Sequence, residues 1–238
     1  MKLQGKKVVI IGGSSGIGLA TAKAAALEGA QVVIASRSEE KLGKAATEIK
    51  GKVEPIPVNT AEEASVKALF ERVGEFDHLA TPGSEAARGP FLELDLRAAK
   101  GGFDSKFWGQ YLASKYGAPK LRPGGSITLF SGAYSQRPGK GASLLSAINS
   151  AVEGLGRALA VELSPIRVNV VSPGLVDTPI YSGMQEEKRK AMFNAVAAAN
   201  LVKRIGKPED IAETVIYLMN NGYMSGATLF VEGGIMLR

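Results

Sequence analysis

The stretch Lys7-Val8-Val9-Ile10-Ile11-Gly12-Gly13-Ser14-Ser15-Gly16-Ile17-Gly18 decides the architecture of this chain. After Lys7 it runs as four β-branched residues with no polar alternation, the pattern of a strand covered on both faces. The glycines that follow permit a tight turn and close approach of backbone to a ligand. From residue 16 the apolar spacing turns helical and stays so over 16–27. Such a unit aims free helical N–H groups and a positive dipole end at a phosphate. The Gly-Lys-Ser/Thr ending of a P-loop is absent. A plain tight turn would use similar residues. In the first strand–turn–helix unit of an α/β chain, however, the reading is a dinucleotide cradle. Its contacts are Gly12, Ser14, Ser15, Gly16, Ile17 and Gly18, with Gly18 also letting the helix pack tightly on the sheet.

Outward from this unit, apolar runs at 8–11, 32–35, 53–57, 78–80, 126–130, 167–171 and 228–231 read as buried strands. Helical spacing fills 16–27, 39–49, 62–73, a long segment around 95–116, 143–163 and 208–218. The alternation predicts an α/β fold: one doubly wound, Rossmann-type parallel sheet of seven strands with helices on both faces. No linker divides residues 1–238, so a single domain is expected. Residues 179–201 break the alternation with Tyr181, Met184, Met192 and Phe193 among charges. They read either as an insertion covering a substrate or as a surface helical hairpin.

Composition narrows the function. Of 238 residues, 45% are hydrophobic and 22% charged, the mix of a soluble globular protein rather than a disordered one. No apolar run spans a bilayer, and the start MKLQGKKVVIIGG is too short in apolar residues for a signal peptide. Zero Cys excludes disulfides and thiolate metal sites, and the single His78 excludes any site needing two histidines. A cytoplasmic setting is expected. The net charge of +6 comes from basic residues scattered among acidic ones, as at Glu186-Glu187-Lys188-Arg189-Lys190, which argues against nucleic acid and for a solvated surface. A phosphorylated ligand would also benefit from that field.

The end of the second strand reads the adenosine ribose. An acidic residue there would accept the 2′-hydroxyl of NAD. This chain has Ser36 and Arg37 instead, and the planar guanidinium of Arg37 suits a 2′-phosphate. NADP(H) is therefore expected over NAD(H), against the alternative that Arg37 is an exposed loop arginine. Asn59, ending the third strand, is a candidate adenine contact.

Four motifs now stand in order. They are Gly12-x3-Gly16-x-Gly18; Arg167-Val168-Asn169-Val170-Val171-Ser172-Pro173-Gly174-Leu175-Val176-Asp177-Thr178; Gly206-Lys207-Pro208-Glu209-Asp210-Ile211-Ala212; and Ser225-Gly226 with Val231-Glu232-Gly233-Gly234. Through them the chain resembles the short-chain dehydrogenase/reductase family over nearly its whole length. The resemblance implies a Rossmann-type fold, a nicotinamide cofactor and hydride transfer. It also implies a homodimer or homotetramer assembled through the two long central helices. It places Pro173, Gly174, Val176 and Thr178 beside the nicotinamide.

The family's Asn–Ser–Tyr–Lys tetrad is not matched. The resemblance places Lys106 at the Asn position, Gly132 at the Ser position with Ser131 just before it, Leu145 at the Tyr position and Asn149 at the Lys position. The fourth-strand Asn-Asn-Ala-Gly motif is Thr81-Pro82-Gly83-Ser84 here, and Pro82 has no N–H to donate. Leu145 can neither give nor take a proton. Yet an ammonium and an amide are both present, with their anchors exchanged. One reading is a divergent NADP(H)-dependent reductase of a small carbonyl or alcohol, with Lys106 as acid and Ser131 and Asn149 orienting the substrate. The other is a non-catalytic NADP(H)-binding protein with a regulatory or assembly role. For Lys106 alone the bland alternative is a snorkelling lysine at a subunit interface. Tyr134 is a lesser candidate for the missing phenol, His78 reads as structural, and Phe107 and Trp108 read as core or subunit contact.

Overall fold

A computed structural model describes residues 2–83 and 88–238. The strands are β1 (Lys7–Ile11), β2 (Gln31–Ser36), β3 (Val53–Pro57), β4 (Phe76–Ala80), β5 (Leu121–Phe130), β6 (Arg167–Pro173) and β7 (Thr228–Val231). They form one parallel sheet in the order β3-β2-β1-β4-β5-β6-β7. The chain winds outward to β3, crosses back to β4 beside β1, and then winds the other way. That reversal opens a crevice beyond the carboxyl ends of β1 and β4, where a ligand enters a doubly wound sheet. The edge strand β3 carries Pro55 and Pro57, which remove ladder donors and blunt the edge.

Alternate strand residues face opposite layers. Val8, Ile10, Val32 and Ile34 pack with Leu42, Ile211, Val215 and Leu218, under α1 (Gly16–Leu27), α2 (Glu39–Glu48) and α8 (Pro208–Asn220). Val9, Ile11, Val33 and Ala35 pack on the other face with Leu69, Phe70, Ala113 and Val152. Those come from α3 (Glu63–Val73), α5 (Gly109–Gly117) and α6 (Ser143–Glu162). Arg167 is buried and gives its guanidinium to the C-terminal carbonyls of α8, Leu218 O at 2.8 Å and Met219 O at 3.0 Å. A cation at the negative end of that helix is favourably placed.

The long segment expected around 95–116 is not one regular helix. Asp95 caps α4 (Leu96–Phe103) by accepting from Ala98 N at 2.9 Å. A π-helical turn then covers Asp104–Trp108 before α5 begins. Apolar spacing does not register this, because the buried positions here, Gly102, Lys106 and Gln110 among them, are not apolar. Lys106 is the buried residue of that turn. Residues 179–201 contain a 3-10 turn, Pro179–Tyr181, and α7 (Glu186–Ala199), joined by an edge-to-face contact of Tyr181 and Phe193.

His78 sits within β4, buried, with Nδ1 2.9 Å from Ser126 Oγ. Burial, the main cause, holds its pKa down at about 4, below the ordinary 6.5. The unfolded chain therefore binds a proton in the window between 6.5 and 4 that the folded chain refuses, and stability is lost as pH falls through it. Between pH 7 and 5 this should remove about 2 kcal/mol. In His78→Gln, the unfolding free energies from urea titrations at the two pH values should lie closer together by that amount. An unchanged difference would show that His78 takes no part in acid unfolding.

Candidate functional site

All residues singled out as cofactor or catalytic contacts line one cleft of about 840 Å³ over the carboxyl ends of the strands. At the dinucleotide end, β1 runs into the glycine turn, pinned where Gly12 N donates to Ala35 O at 2.6 Å. Gly12 has φ +91, and a Cβ there would stand 2.2 Å from Gly83 Cα. A Cβ on Gly18 would stand 2.0 Å from Gly12 O. Only glycine lets the turn and the helix close on each other in this way. Ser15 precedes α1 without capping it, so its side chain leaves the first-turn N–H groups to other acceptors. Thr178 is brought against Gly16, so the loop after β6 closes over the same turn.

Ser36 and Arg37 lie at the end of β2, and Lys41, which sequence reading missed, lines the cleft one helical turn later. Its spacing of four from Arg37 was the available signal. Asn59 also lines the cleft, but its amide is engaged locally: Oδ1 accepts from Ala61 N at 3.2 Å and Nδ2 donates to Glu62 Oε1 at 2.7 Å. Of the motif 81–84, Pro82 and Gly83 line the cleft, while Ser84 lies outside the described residues.

At the other end, Lys106 and Asn149 face the same cleft and grip consecutive carbonyls of the loop after β5. Lys106 Nζ donates to Ser131 O at 3.0 Å, and Asn149 Nδ2 donates to Gly132 O at 3.1 Å. A Cβ on Gly132 would stand 2.9 Å from Asn149 Nδ2, so the amide fills space that a side chain at 132 would need. Asn149 Oδ1 is buried with no hydrogen-bond partner among the described residues, as is Ser36 Oγ toward the opposite end. Unsatisfied buried acceptors are rare, and two in the wall of one cleft fit a ligand bearing hydroxyl or amide donors. Lys106 is 9% exposed. Burial first, and Arg88 second, lower its pKa from 10.5 to about 8. The ammonium can thus exchange its proton near neutral pH.

Sequence reading also missed Glu153. It is buried on α6, with Oε1 accepting from Ser131 Oγ at 2.6 Å and Oε2 from Gln136 Nε2 at 3.1 Å. Gln110 on α5 binds Phe130 N at 2.7 Å and Phe130 O at 3.0 Å, holding the strand that feeds the loop. No pattern in the chain marks Glu153 or Gln110. Each acts on a residue twenty or more positions away. Leu145 and Tyr134 line the cleft, as do Ile180, Tyr181, Met192 and Val196 from 179–201. Phe107 packs on the core, whereas Trp108 is exposed and edge-on to Tyr111. No helix among the described residues is long and apolar enough to cross a membrane.

A family model described as Enoyl-(Acyl carrier protein) reductase matches residues 12–236. A short-chain dehydrogenase/reductase of Malbranchea aurantiaca, malC, is 33% identical over 99% of this chain and 96% of its own length. This chain belongs to the short-chain dehydrogenase/reductase family. L-xylulose reductase of Mus musculus is 30% identical over 98% of each chain. The solved structure of a small-chain dehydrogenase in complex with NADPH superposes with a TM-score of 0.87 at 36% identity, covering 99% of this chain and all of that one. The family is one of oxidoreductases on a nucleotide-binding Rossmann-type sheet, and this member shares its seven parallel strands.

Proposed function

We propose that this short-chain dehydrogenase/reductase is an NADP(H)-dependent oxidoreductase that interconverts a small carbonyl compound and its alcohol, with Lys106 replacing the family's phenolic acid. The observation that carries this reading is a buried ammonium in the cleft wall whose pKa has fallen to about 8. The residues present fit the coenzyme: the glycine turn would hold its pyrophosphate, Ser36 and Arg37 its 2′-phosphate, and Pro173, Gly174, Val176 and Thr178 its nicotinamide, all lining the one cleft. Reduced nicotinamide supplies the hydride. Lys106 gives the carbonyl oxygen a proton as negative charge develops there, becomes an amine, and is reprotonated from solvent. Ser131 holds the ammonium through its carbonyl, with Glu153 fixing the hydroxyl of the same residue. Asn149 Oδ1, without a partner among the described residues, would accept from a ribose or alcohol hydroxyl. Residues 179–201 cover the substrate, supported by the apolar side chains they put into the cleft. The exposed face around Trp108 and Tyr111 joins copies into a homodimer or homotetramer, and the setting is cytoplasmic.

The test is NADPH oxidation over a panel of aldehydes and ketones, with the alcohol product detected by mass. NADPH binding with no turnover on any member would favour the second reading, a coenzyme-binding protein without chemistry. Leu145 in the cleft wall is the observation on its side. Coenzyme choice is checked separately. Arg37→Ala should weaken NADPH about 10–100-fold, the worth of a charge-assisted fork, and NADH by less than about threefold. Equal losses in a fluorescence titration would remove Arg37 from 2′-phosphate recognition.

A further inference from the structure

The cleft is lined by five cationic side chains, Arg37, Lys41, Arg88, Lys106 and Arg137, and by no carboxylate among the described residues. Arg37 follows β2 and Lys41 lies in the first turn of α2, where the proposed 2′-phosphate accounts for them. Arg88 and Arg137 sit at the opposite end, and no part of the coenzyme reading uses them. Both line the same cleft as Tyr134. The Arg88 guanidinium stands 5.5 Å from the centre of its ring, and Arg137 follows three residues later in the chain. Arg137 spends one donor on Ile235 O, which leaves the rest of its fork unassigned. Glu153 does not neutralise the group. It is buried behind Ser131 and bound to Ser131 and Gln136, outside the cleft lining. Like charges collected on a concave wall repel one another and raise the local potential for an anion. The same end of the wall carries a run of apolar side chains: Leu145, Ile180, Tyr181, Met192, Val196 and Ile235.

We infer that the substrate is a largely apolar molecule carrying a compact oxyanion, a carboxylate or a phosphate, which Arg88 and Arg137 receive while its carbonyl faces Lys106. Only the last clause rests on the reductase reading. Anion capture by the two arginines stands apart from any chemistry.

Three probes of matched shape decide it: 3-phenylpropanoate, 2-phenylethyl phosphate and the neutral 3-phenylpropanamide. Each is titrated calorimetrically into the free protein and into the protein with saturating NADP⁺, so the result does not depend on coenzyme uptake. At least one anion should bind about tenfold or more tightly than the amide, as expected of a guanidinium–oxyanion fork. Which anion binds better tells a carboxylate substrate from a phosphorylated one. The preference should shrink with added salt, since both arginines are exposed. Arg88→Gln with Arg137→Gln should reduce it below about threefold, and the corresponding double lysine variant should restore most of it. Amide and anions binding equally, no probe binding at all, or a preference that survives the double glutamine variant would each overturn the inference. A failure of NADP⁺ to bind would instead strike the reductase reading alone.

Discussion

Gly18→Val should leave a chain that takes up neither NADPH nor NADH and unfolds far below the parent. The smallest side-chain atom at 18 would stand 2.0 Å from Gly12 O, a backbone atom held by the hydrogen bond from Gly12 N to Ala35 O. Nothing flexible lies in the way that could rotate aside. Either α1 lifts from the sheet or the turn opens, and the phosphate cradle is lost in both cases. A backbone collision of this kind belongs among the severe substitutions, above about 4 kcal/mol. Gly43→Ala is the contrast. No atom outside its own helix lies within 4 Å of a Cβ built at that position in α2. It should therefore be stabilising by about 0.5–1 kcal/mol through helix propensity alone. Melting curves and coenzyme titrations of the two variants check the argument together. Gly18→Val binding NADPH like the parent would mean that the turn does not hold the coenzyme.

Lys106→Met should separate stability from turnover. On a carbonyl that the parent reduces, kcat should fall about 10²–10⁴-fold, the usual worth of a positioned acid. The protein itself should become more stable at pH 7, because an ammonium held where burial disfavours it is replaced by an apolar chain of similar length. The pKa of Lys106 drops from 10.5 to about 8, so keeping it charged in the folded state costs on the order of 3 kcal/mol. The lost bond to Ser131 O offsets part of the gain, leaving about 3–6 °C in melting temperature. Between about 8 and 10.5 the unfolded chain keeps a proton that the folded chain has released, so stability rises with pH in that window. The variant should lack that rise. In the parent, reduction should fall above about pH 8 and alcohol oxidation should rise through the same value, since one needs the ammonium and the other the amine. Unaltered turnover in Lys106→Met would remove Lys106 from the chemistry. An unaltered pH dependence of stability would mean that burial does not strain it.

Much of the fold was legible because its signals are local. The apolar runs at 8–11 and 167–171 and the glycine turn at 12–18 carry their conformations within a few residues. Alternation of such units leaves few topologies once crossovers are right-handed. Boundaries were less legible. β5 begins at Leu121, which pairs with Phe76 of β4, rather than near 126; the stretch through Pro123, Gly124 and Gly125 has no apolar pattern, and the register shifts across it before Ser126 pairs with His78. The π-helical turn at Asp104–Trp108 was not legible because the inward positions in and after it include Lys106, Gly109, Gln110 and Ser114, which give no apolar spacing to read.

By itself, the sequence determined the parallel sheet, the place of the nucleotide turn and the absence of a phenol at 145. Each depends only on residue type and spacing along the chain. Tertiary structure alone decided that Lys106 lies buried on Ser131 O, that Asn149 occupies the space above Gly132, that Glu153 anchors Ser131, and that five cations share one cleft. Those facts rest on contacts between residues far apart in the chain. Burial and charge at such contacts are set by which elements the sheet brings together, and no short window of sequence encodes that.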